Sequence, residues 1–214
     1  MKFEFQRRRM VEELEKKYGI ADRRVLKAML DIPRHLFVRK HLWAQAYGDH
    51  ALPIGAEQTI SQPFVVARMS EMLRVSPEHT VLEIGTGTGY QTAILAKLAR
   101  RVYSLERVGE LARAAIDRLR SIGIPNVKVQ AFDGTVGWSE VAPFARILVT
   151  AAAPSAPKPL IEQLRPGGRM VIPEGSREEQ RLVSYRKLRG GGVRREEGEA
   201  VAFVPLIGRY GWAS

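Results

Sequence analysis

The stretch TVLEIGTGTGYQTAILAKL, residues 80–98, decides the fold of this chain. It begins with a short apolar run that predicts a strand, and residues 91–98 predict a helix. Between them stand Gly85, Gly87 and Gly89, which allow a tight turn and let a ligand lie against the backbone. A strand, a glycine turn and a helix in this order are typical of an open α/β sheet, which binds its ligands at this junction.

The same alternation continues up to residue 175. We predict strands at residues 101–106, 127–132, 144–150 and 169–175, and helices at residues 111–122 and 159–164. Two further strand-like runs, residues 181–188 and 200–208, have no helix between them and predict an antiparallel hairpin. The fold class is therefore α/β, with a doubly wound, mostly parallel sheet and an antiparallel C-terminal hairpin.

The first 79 residues show a different pattern. Residues 4–18 and 22–31 predict two amphipathic helices, with Asp22 as the N-cap of the second. A long loop rich in turn residues follows, and it ends at QTISQP, residues 58–63, before a helix at residues 64–73. We expect residues 1–79 to form N-terminal helices and a substrate loop packed on the core, and residues 80–214 to form the core with its hairpin.

Composition excludes several classes of function. The 214 residues include no cysteine, which rules out disulfides, thiolate metal sites and cysteine nucleophiles. The formal charge is +11, but the basic residues are spread along the chain and interleaved with acidic ones, so nucleic-acid binding is not expected. No run has the length of a membrane span or the core of a signal peptide, which predicts a cytoplasmic protein. The four histidines form no evident cluster, so no metal is expected, and His79 should be exposed.

Acidic residues follow the next two strands at the same edge of the sheet. Glu106 ends the second strand, where a carboxylate can accept hydrogen bonds from both hydroxyls of a ribose. Asp133 follows the third strand beside Phe132 and could accept from the amine of an adenine. Tyr90 stands where a dinucleotide motif has its third glycine. With a helix N-terminus that attracts a carboxylate, these features predict S-adenosylmethionine as the ligand.

The runs TVLEIGTGTGYQTAILA, VYSLE and FDG resemble the cofactor motifs of the Rossmann-like methyltransferases. In that family the sheet has seven strands, with the last hairpin inserted antiparallel. Glu83 stands where the family has an acid near the methionine moiety of the cofactor. The cofactor-binding positions implied by these motifs are Glu83, Gly85, Thr86, Gly87, Thr88, Gly89, Glu106, Arg107, Asp133 and Gly134.

Five other blocks, DHALPIG, QTISQP, VTAAAP, RPGGRMVIPEG and FVPLIGRYGW, resemble the protein-L-isoaspartate O-methyltransferases in order and spacing. The resemblance runs from about Asp31 to the C-terminus. It implies transfer of a methyl group from S-adenosyl-L-methionine to the free carboxylate of isoaspartyl residues in damaged proteins and peptides. S-adenosyl-L-homocysteine is then the second product, and the methyl ester recloses to a succinimide.

The same resemblance implies roles for three further groups of residues. Ser61 matches the active-site residue, and Thr59 and Ile60 match residues that close over the cofactor. The segments that border the peptide match Leu52, Pro53, Ile54 and Gly55 and, near the C-terminus, Val204, Pro205 and Leu206. Two positions depart from the family: Phe132 replaces the first glycine of a Gly-Asp-Gly run, and Val66 replaces a histidine that some members have.

Ser61 also has a simpler interpretation, as the N-cap of the helix that follows, with Gln62 at the first helical position and Pro63 in the first turn. No base is paired with Ser61 and no strand-turn-helix elbow surrounds it, so it is not expected to be a nucleophile. Its hydroxyl could instead donate to the substrate carboxylate, which is already ionised at neutral pH and needs no base. Both roles are compatible.

Two other functions remain open at this stage. A tRNA adenine N1-methyltransferase would share the sheet and would explain the positive charge. It requires an acid and a stacking surface at the end of the fourth strand, and VTAAAP, residues 149–154, offers neither. A non-catalytic nucleotide-binding module is compatible with the glycine loop taken alone.

Overall fold

A seven-stranded sheet runs through the molecule, and its strands stand in the order Val127–Ala131, Arg101–Glu106, Thr80–Ile84, Phe144–Val149, Leu164–Gly175, Gln180–Lys187 and Val193–Val201. The computed structural model describes residues 2–213. Its strands are β1 (Leu52–Gly55), β2 (Gln58–Ile60), β3 (Thr80–Ile84), β4 (Arg101–Glu106), β5 (Val127–Ala131), β6 (Phe144–Val149), β7 (Leu164–Gly175), β8 (Gln180–Lys187) and β9 (Val193–Val201). Strands β3 to β7 pair in parallel, and β8 is antiparallel to both β7 and β9. The predicted fold class is confirmed.

The helices also follow the predicted order, with small shifts at their ends. They are α1 (Lys2–Lys16), α2 (Arg23–Asp31), α3 (Pro63–Leu73), α4 (Tyr90–Leu98), α5 (Gly109–Ser121) and α6 (Lys158–Glu162). Asp22 caps α2 as predicted, because its side chain accepts from the backbone N–H of Arg24 at 2.9 Å. Within residues 2–213, no helix combines the length and the apolar character needed to cross a membrane.

The apolar core lies on both faces of the sheet. On one face, α1 to α4 contribute Met10, Leu14, Met29 and other buried side chains to a cluster that also contains sheet residues such as Val102. On the other face, a smaller cluster around Phe144 packs against α6. Residues from both parts of the predicted division at residue 79 share the larger cluster, and the division into residues 1–79 and 80–214 stays a prediction.

The predicted position of the last strand is wrong. Strand β9 is Val193–Val201, whereas the prediction placed a strand at residues 200–208 and a loop before it. Strand β9 has no alternating apolar pattern because it is a mostly exposed edge strand. Its charged residues instead pair with residues of β7 and β8, as Arg195 does with Glu174 of β7 at 3.1 Å. The apolar run after β9 leaves the sheet and crosses its carboxyl edge, where Pro205 pairs with Ala152.

Strand β7 begins five residues earlier than predicted, at Leu164 instead of Arg169. Leu164 pairs with Phe144 before the register shifts, so the Pro-Gly-Gly turn lies within the strand as an irregularity. The isolated turn signal therefore indicated an interruption of the strand and not its beginning.

Candidate active site

A cleft opens at the carboxyl ends of β3, β4 and β6, where the glycine turn was predicted to bind its ligand. It is lined by Gln58, Thr59, Ile84, Gly85, Gly87, Leu105, Glu106, Arg107, Val108, Gly134, Thr150, Ala151, Val204, Pro205, Leu206 and Ile207. Gly85 has a φ of 96°, and a Cβ atom there would collide with the hydroxyl of Thr150. That hydroxyl bonds the carbonyls of Ile84 and Gly85, which closes the turn onto β6. Only glycine fits at this position.

Glu106 lies at the wall of this cleft and connects the ends of two strands. One carboxylate oxygen accepts from the backbone N–H of Gly87 at 2.8 Å, and the other accepts from the N–H of Val108 at 2.9 Å. The side chain is almost completely buried. Each carboxylate oxygen has a second lone pair, so Glu106 can still accept from two hydroxyl groups of a ligand.

Glu83 does not line the cleft. It is fully buried beneath the glycine turn, where one oxygen accepts from the hydroxyls of Thr92 and Ser104, each at 2.6 Å. The hydroxyl of Thr86 lies 2.6 Å from that of Ser104, which ties the turn to this network. Burial raises the pKa of Glu83 to about 8, against the lowering effect of these hydrogen bonds and with a smaller contribution from nearby Glu106. Its carboxyl group is therefore protonated at neutral pH.

Next to the cleft lies a second pocket, which contains Ser61. Its lining residues are Ala51, Thr59, Ser61, Gln62, Phe64, Val65, Thr150, Ala200, Val201, Ala202, Phe203 and Val204. Thr59, Thr150 and Val204 line both spaces. A group bound beside Ser61 and a ligand bound beside the glycine turn would therefore be neighbours, with these three side chains bordering both.

Comparison with known proteins identifies the family. The family model described as "Protein-L-isoaspartate(D-aspartate) O-methyltransferase (PCMT)" matches residues 5–211. The chain belongs to this family. A protein-L-isoaspartate O-methyltransferase 2 from Geotalea uraniireducens (strain Rf4) is 55% identical over 207 residues, which are 97% of this chain and 95% of the relative. A protein-L-isoaspartate O-methyltransferase from Dictyoglomus thermophilum is 51% identical over 210 residues, covering 98% and 94% of the two chains.

Two solved structures share the fold of this chain. One is described as a protein-L-isoaspartate O-methyltransferase, with a TM-score of 0.86 and 29% identity, covering 96% of this chain and 67% of that chain. The other is a candidate isoaspartate methyltransferase from Plasmodium falciparum in complex with S-adenosyl-L-homocysteine. It has a TM-score of 0.80 and 25% identity, and the match covers 94% of this chain and 98% of that chain.

The predicted N-cap role of Ser61 is wrong. The N-cap of α3 is Gln62, whose side chain makes no capping hydrogen bond. Asp49 does the capping, because its Oδ1 accepts from the backbone N–H of Phe64 at 2.8 Å. Among the described residues, no group hydrogen-bonds with the Ser61 hydroxyl. Sequence reasoning missed Asp49 because it approaches the helix from a separate turn of the loop.

Arg34 is a second residue that the motifs did not predict. It is completely buried, and its guanidinium donates to the carbonyl of Ala46 at 2.9 Å and to the carbonyl of Ser61 at 2.7 Å. The guanidinium also lies over the ring of Tyr90, 4.8 Å from the centroid. Burial lowers the pKa of Arg34. A single buried cation thus fixes the backbone of the segment that carries Ser61.

The Asp133 carboxylate binds other groups of the protein, and its predicted contact with the adenine amine stays a prediction. Its carboxylate accepts from the N–H and hydroxyl of Thr135 and, at 2.9 Å, from the N–H of Arg209. Burial alone would raise its pKa, but the hydrogen bonds from Arg209 and Thr135 lower it below its ordinary value. The carboxylate therefore fastens the C-terminal segment beside the cleft, and Phe132 next to it is half exposed and outside the lining.

The remaining predicted positions fall into three groups. Gly85, Gly87, Arg107, Gly134, Thr59 and Val204 to Leu206 line the cleft. Thr86, Thr88, Gly89 and Ile60 are buried beside it without lining it, and Leu52 belongs to the core. Pro53 is exposed, and Ile54 and Gly55 lie in the β1–β2 hairpin, with the side chain of Ile54 against Gly87. The cleft residues that were not among the predicted site residues are Gln58, Ile84, Leu105, Val108, Thr150, Ala151 and Ile207.

The expectation for His79 is wrong, since this histidine is buried and not exposed. Its Nδ1 accepts from the backbone N–H of Ser76 at 3.0 Å. Burial, with the positive charges of Arg146 and Arg165, lowers the pKa of His79 from 6.5 to about 4. A neutral histidine at the amino end of β3 serves the fold and lies away from the cleft.

Proposed function

We propose that this chain methylates the free carboxylate of L-isoaspartyl residues in damaged proteins and peptides, with S-adenosyl-L-methionine as the methyl donor. The observation that carries this function is the shared wall between the cleft and the Ser61 pocket, made by Thr59, Thr150 and Val204. This shared wall supports the proposal of an acceptor site directly beside a cofactor site. The methyl ester would then reclose to a succinimide as the backbone amide displaces methanol.

The residues of the cleft fit the cofactor. Glu106 retains lone pairs for the ribose hydroxyls, and the glycine turn with Gly85 and Gly87 leaves backbone open to the ligand. Arg107 offers a cation beside them. When bound, S-adenosyl-L-methionine supplies an electrophilic methyl group. Of the other predicted cofactor positions, Thr86, Thr88 and Gly89 belong to the turn and are buried beside the cleft.

Ser61 orients the acceptor. Its hydroxyl has no partner among the described residues, so it can donate to a substrate carboxylate without breaking a bond within the protein. The carboxylate has a pKa of about 3.5 to 4 and is ionised at neutral pH, so no general base is required. Orientation is then the main contribution of the protein, and effective positioning is worth roughly 7 to 11 kcal/mol.

The peptide would lie along the segment that follows β9. Residues 202–206 border the Ser61 pocket and then the cleft, and this segment is anchored to the sheet where the N–H of Leu206 donates to the carbonyl of Ala152 at 2.7 Å. The hairpin residues Leu52 to Gly55 stand on the other side of Thr59. We propose that these two segments hold the backbone around the isoaspartyl residue. The cytoplasmic location expected from the sequence stays a prediction.

A methylation assay with three acceptors tests this function. Purified protein and methyl-labelled cofactor are incubated with an isoaspartyl hexapeptide, with the same peptide containing ordinary aspartate, and with bulk tRNA. We expect base-labile label on the isoaspartyl peptide alone, because an ester hydrolyses in mild base and an N-methyl group does not. Base-stable label on tRNA would support the adenine methyltransferase, and equal label on both peptides would contradict the proposed specificity. The cofactor without acceptor gives the background.

A further inference from the structure

Four arginines from four neighbouring strands stand side by side on one face of the sheet. Arg146 of β6 is the register partner of Arg169 in β7, which pairs with Arg186 in β8, which pairs with Arg194 in β9. Directly opposed residues project from the same face of a sheet. With neighbouring strands about 4.8 Å apart, this arginine row spans about 14 Å.

Two further arginines extend the row. Arg74 follows the C-terminal end of α3, and its carbonyl accepts from Nε of Arg146 at 3.0 Å. Arg165 is exposed at the start of β7 and close enough to act on the charge of Arg146. The acids that act on the charges of Arg146 and Arg169 are Glu78 and Glu196, and each of these is already engaged: Glu196 with Arg194 at 2.8 Å, and Glu78 with the hydroxyl of Ser76. Six arginines against two acids leave an excess of four positive charges.

This arrangement is costly for the fold. Like charges directly opposite one another in a sheet are destabilising. Arg146 and Arg169 are partly buried, and burial, together with Arg165 and Arg169, lowers the pKa of Arg146 to about 10. An anionic ligand would relieve this repulsion.

The row lies away from the site of methyl transfer. Arg146 precedes Thr150 by four residues along β6, so the row is about 13 Å from the floor of the cleft and toward the opposite end of the strands. Composition could not reveal it, because the four arginines come from separate parts of the chain and only the strand register brings them together. The row is therefore a separate feature of the molecule.

We propose that the arginine row is a second binding site, which takes a chain of phosphates such as nucleic acid or inorganic polyphosphate. One nucleic-acid strand carries about one charge per 3.4 Å, so a length of 14 Å offers about four charges, which equals the excess of the row. An extended acidic peptide presents same-face side chains only every 6.6 Å or so, about half that density. The guanidinium fork also suits bidentate contacts with phosphate.

A pair of double variants tests the row. The row variant, Arg165→Gln with Arg186→Gln, removes two exposed arginines of the extended arginine row. The α5 variant, Arg113→Gln with Arg120→Gln, removes two exposed arginines of α5. The two variants lose the same net charge. Binding of a labelled 20-nucleotide single strand is measured by fluorescence anisotropy between about 50 and 200 mM salt. We expect the row variant to bind at least tenfold more weakly at 50 mM, with a salt slope smaller by about 1.4, since each phosphate contact on a single strand contributes about 0.7. The α5 variant should match the unmodified protein.

Competition identifies the ligand. Inorganic polyphosphate should displace the labelled strand at a similar concentration of phosphate, whereas polyglutamate of equal charge should displace it at least tenfold less well. Preference for the strand over polyphosphate would assign the site to nucleic acid, and the reverse order would assign it to polyphosphate. Equal losses in the two double variants would show diffuse attraction and overturn the proposal. Absence of binding at 50 mM salt, or displacement by polyglutamate as good as by polyphosphate, would also overturn it. Both variants should methylate an isoaspartyl peptide at the unmodified rate.

Discussion

Ser61→Ala and Asp49→Ala should separate catalysis from capping. Asp49 satisfies the N–H of Phe64 at the start of α3, and removing such a cap costs about 1 kcal/mol, within a range of about 0.5 to 2. For a protein of this size, 1 kcal/mol corresponds to about 2–4 °C in Tm. The Ser61 hydroxyl bonds no group among the described residues, so Ser61→Ala should change the free energy of unfolding by less than about 0.5 kcal/mol.

The effect on kcat/KM should be the reverse, with the larger loss for Ser61→Ala. A hydrogen bond to a charged group is worth about 1.5 to 3 kcal/mol, so loss of the Ser61 donor should lower kcat/KM by about 10- to 150-fold. The Kd for S-adenosyl-L-homocysteine should stay within about twofold, because Ser61 does not line the cleft. Asp49→Asn is the matched control for the cap, since asparagine caps as well as aspartate.

The measurements are a thermal scan, kcat/KM on an isoaspartyl hexapeptide and calorimetric titration with S-adenosyl-L-homocysteine. The expected pattern is a lower Tm for Asp49→Ala alone and a large loss of turnover for Ser61→Ala at unchanged Tm. If Ser61→Ala lowered the Tm as Asp49→Ala does and left kcat/KM intact, Ser61 would be a structural residue and the proposed hydroxyl contact would be wrong.

Three further predictions concern buried ionisable side chains. Arg34→Met should lower kcat/KM at least tenfold with little change in the Kd for S-adenosyl-L-homocysteine, and Arg34→Lys should not restore it, because one ammonium cannot span the two carbonyls. Glu106→Gln should raise that Kd by about tenfold or more, measured by calorimetry, and an unchanged Kd would exclude the ribose contact. The pKa of Glu83 is raised to about 8 in the folded protein, so its stabilising effect is complete below pH 4.5 and is lost as pH rises toward 8. Chemical unfolding from pH 5 to pH 9 should therefore show Glu83→Gln gaining stability relative to the unmodified protein as pH rises, and parallel curves would contradict the raised pKa.

The signals that predicted the core of the fold are local. The strand, glycine turn and helix at residues 80–98 specify one βα unit without reference to the rest of the chain, and the later units repeat the alternation of strand and helix. Strand β9 was not predicted because an edge strand needs no buried face. Its residues are mostly charged and exposed, as loop residues are. The cleft residue Thr150 escaped because its role depends on a contact with Gly85, which lies 65 residues earlier.

The acceptor site could be predicted only through the family resemblance, and the structure supplies a physical reason. The segment that carries Ser61 is held by two polar contacts, one from Asp49 to the N–H of Phe64 and one from Arg34 to the carbonyl of Ser61. Both come from the first 79 residues, outside the strand and helix units that form the cofactor cleft. In the proposed function, residues at the carboxyl edge of the sheet form most of the cleft for the cofactor, and the N-terminal residues, together with the segment after β9, would hold the acceptor beside it. Because these contacts join residues 15 and 27 positions apart and involve backbone groups, no spacing of side-chain types in the sequence predicts them.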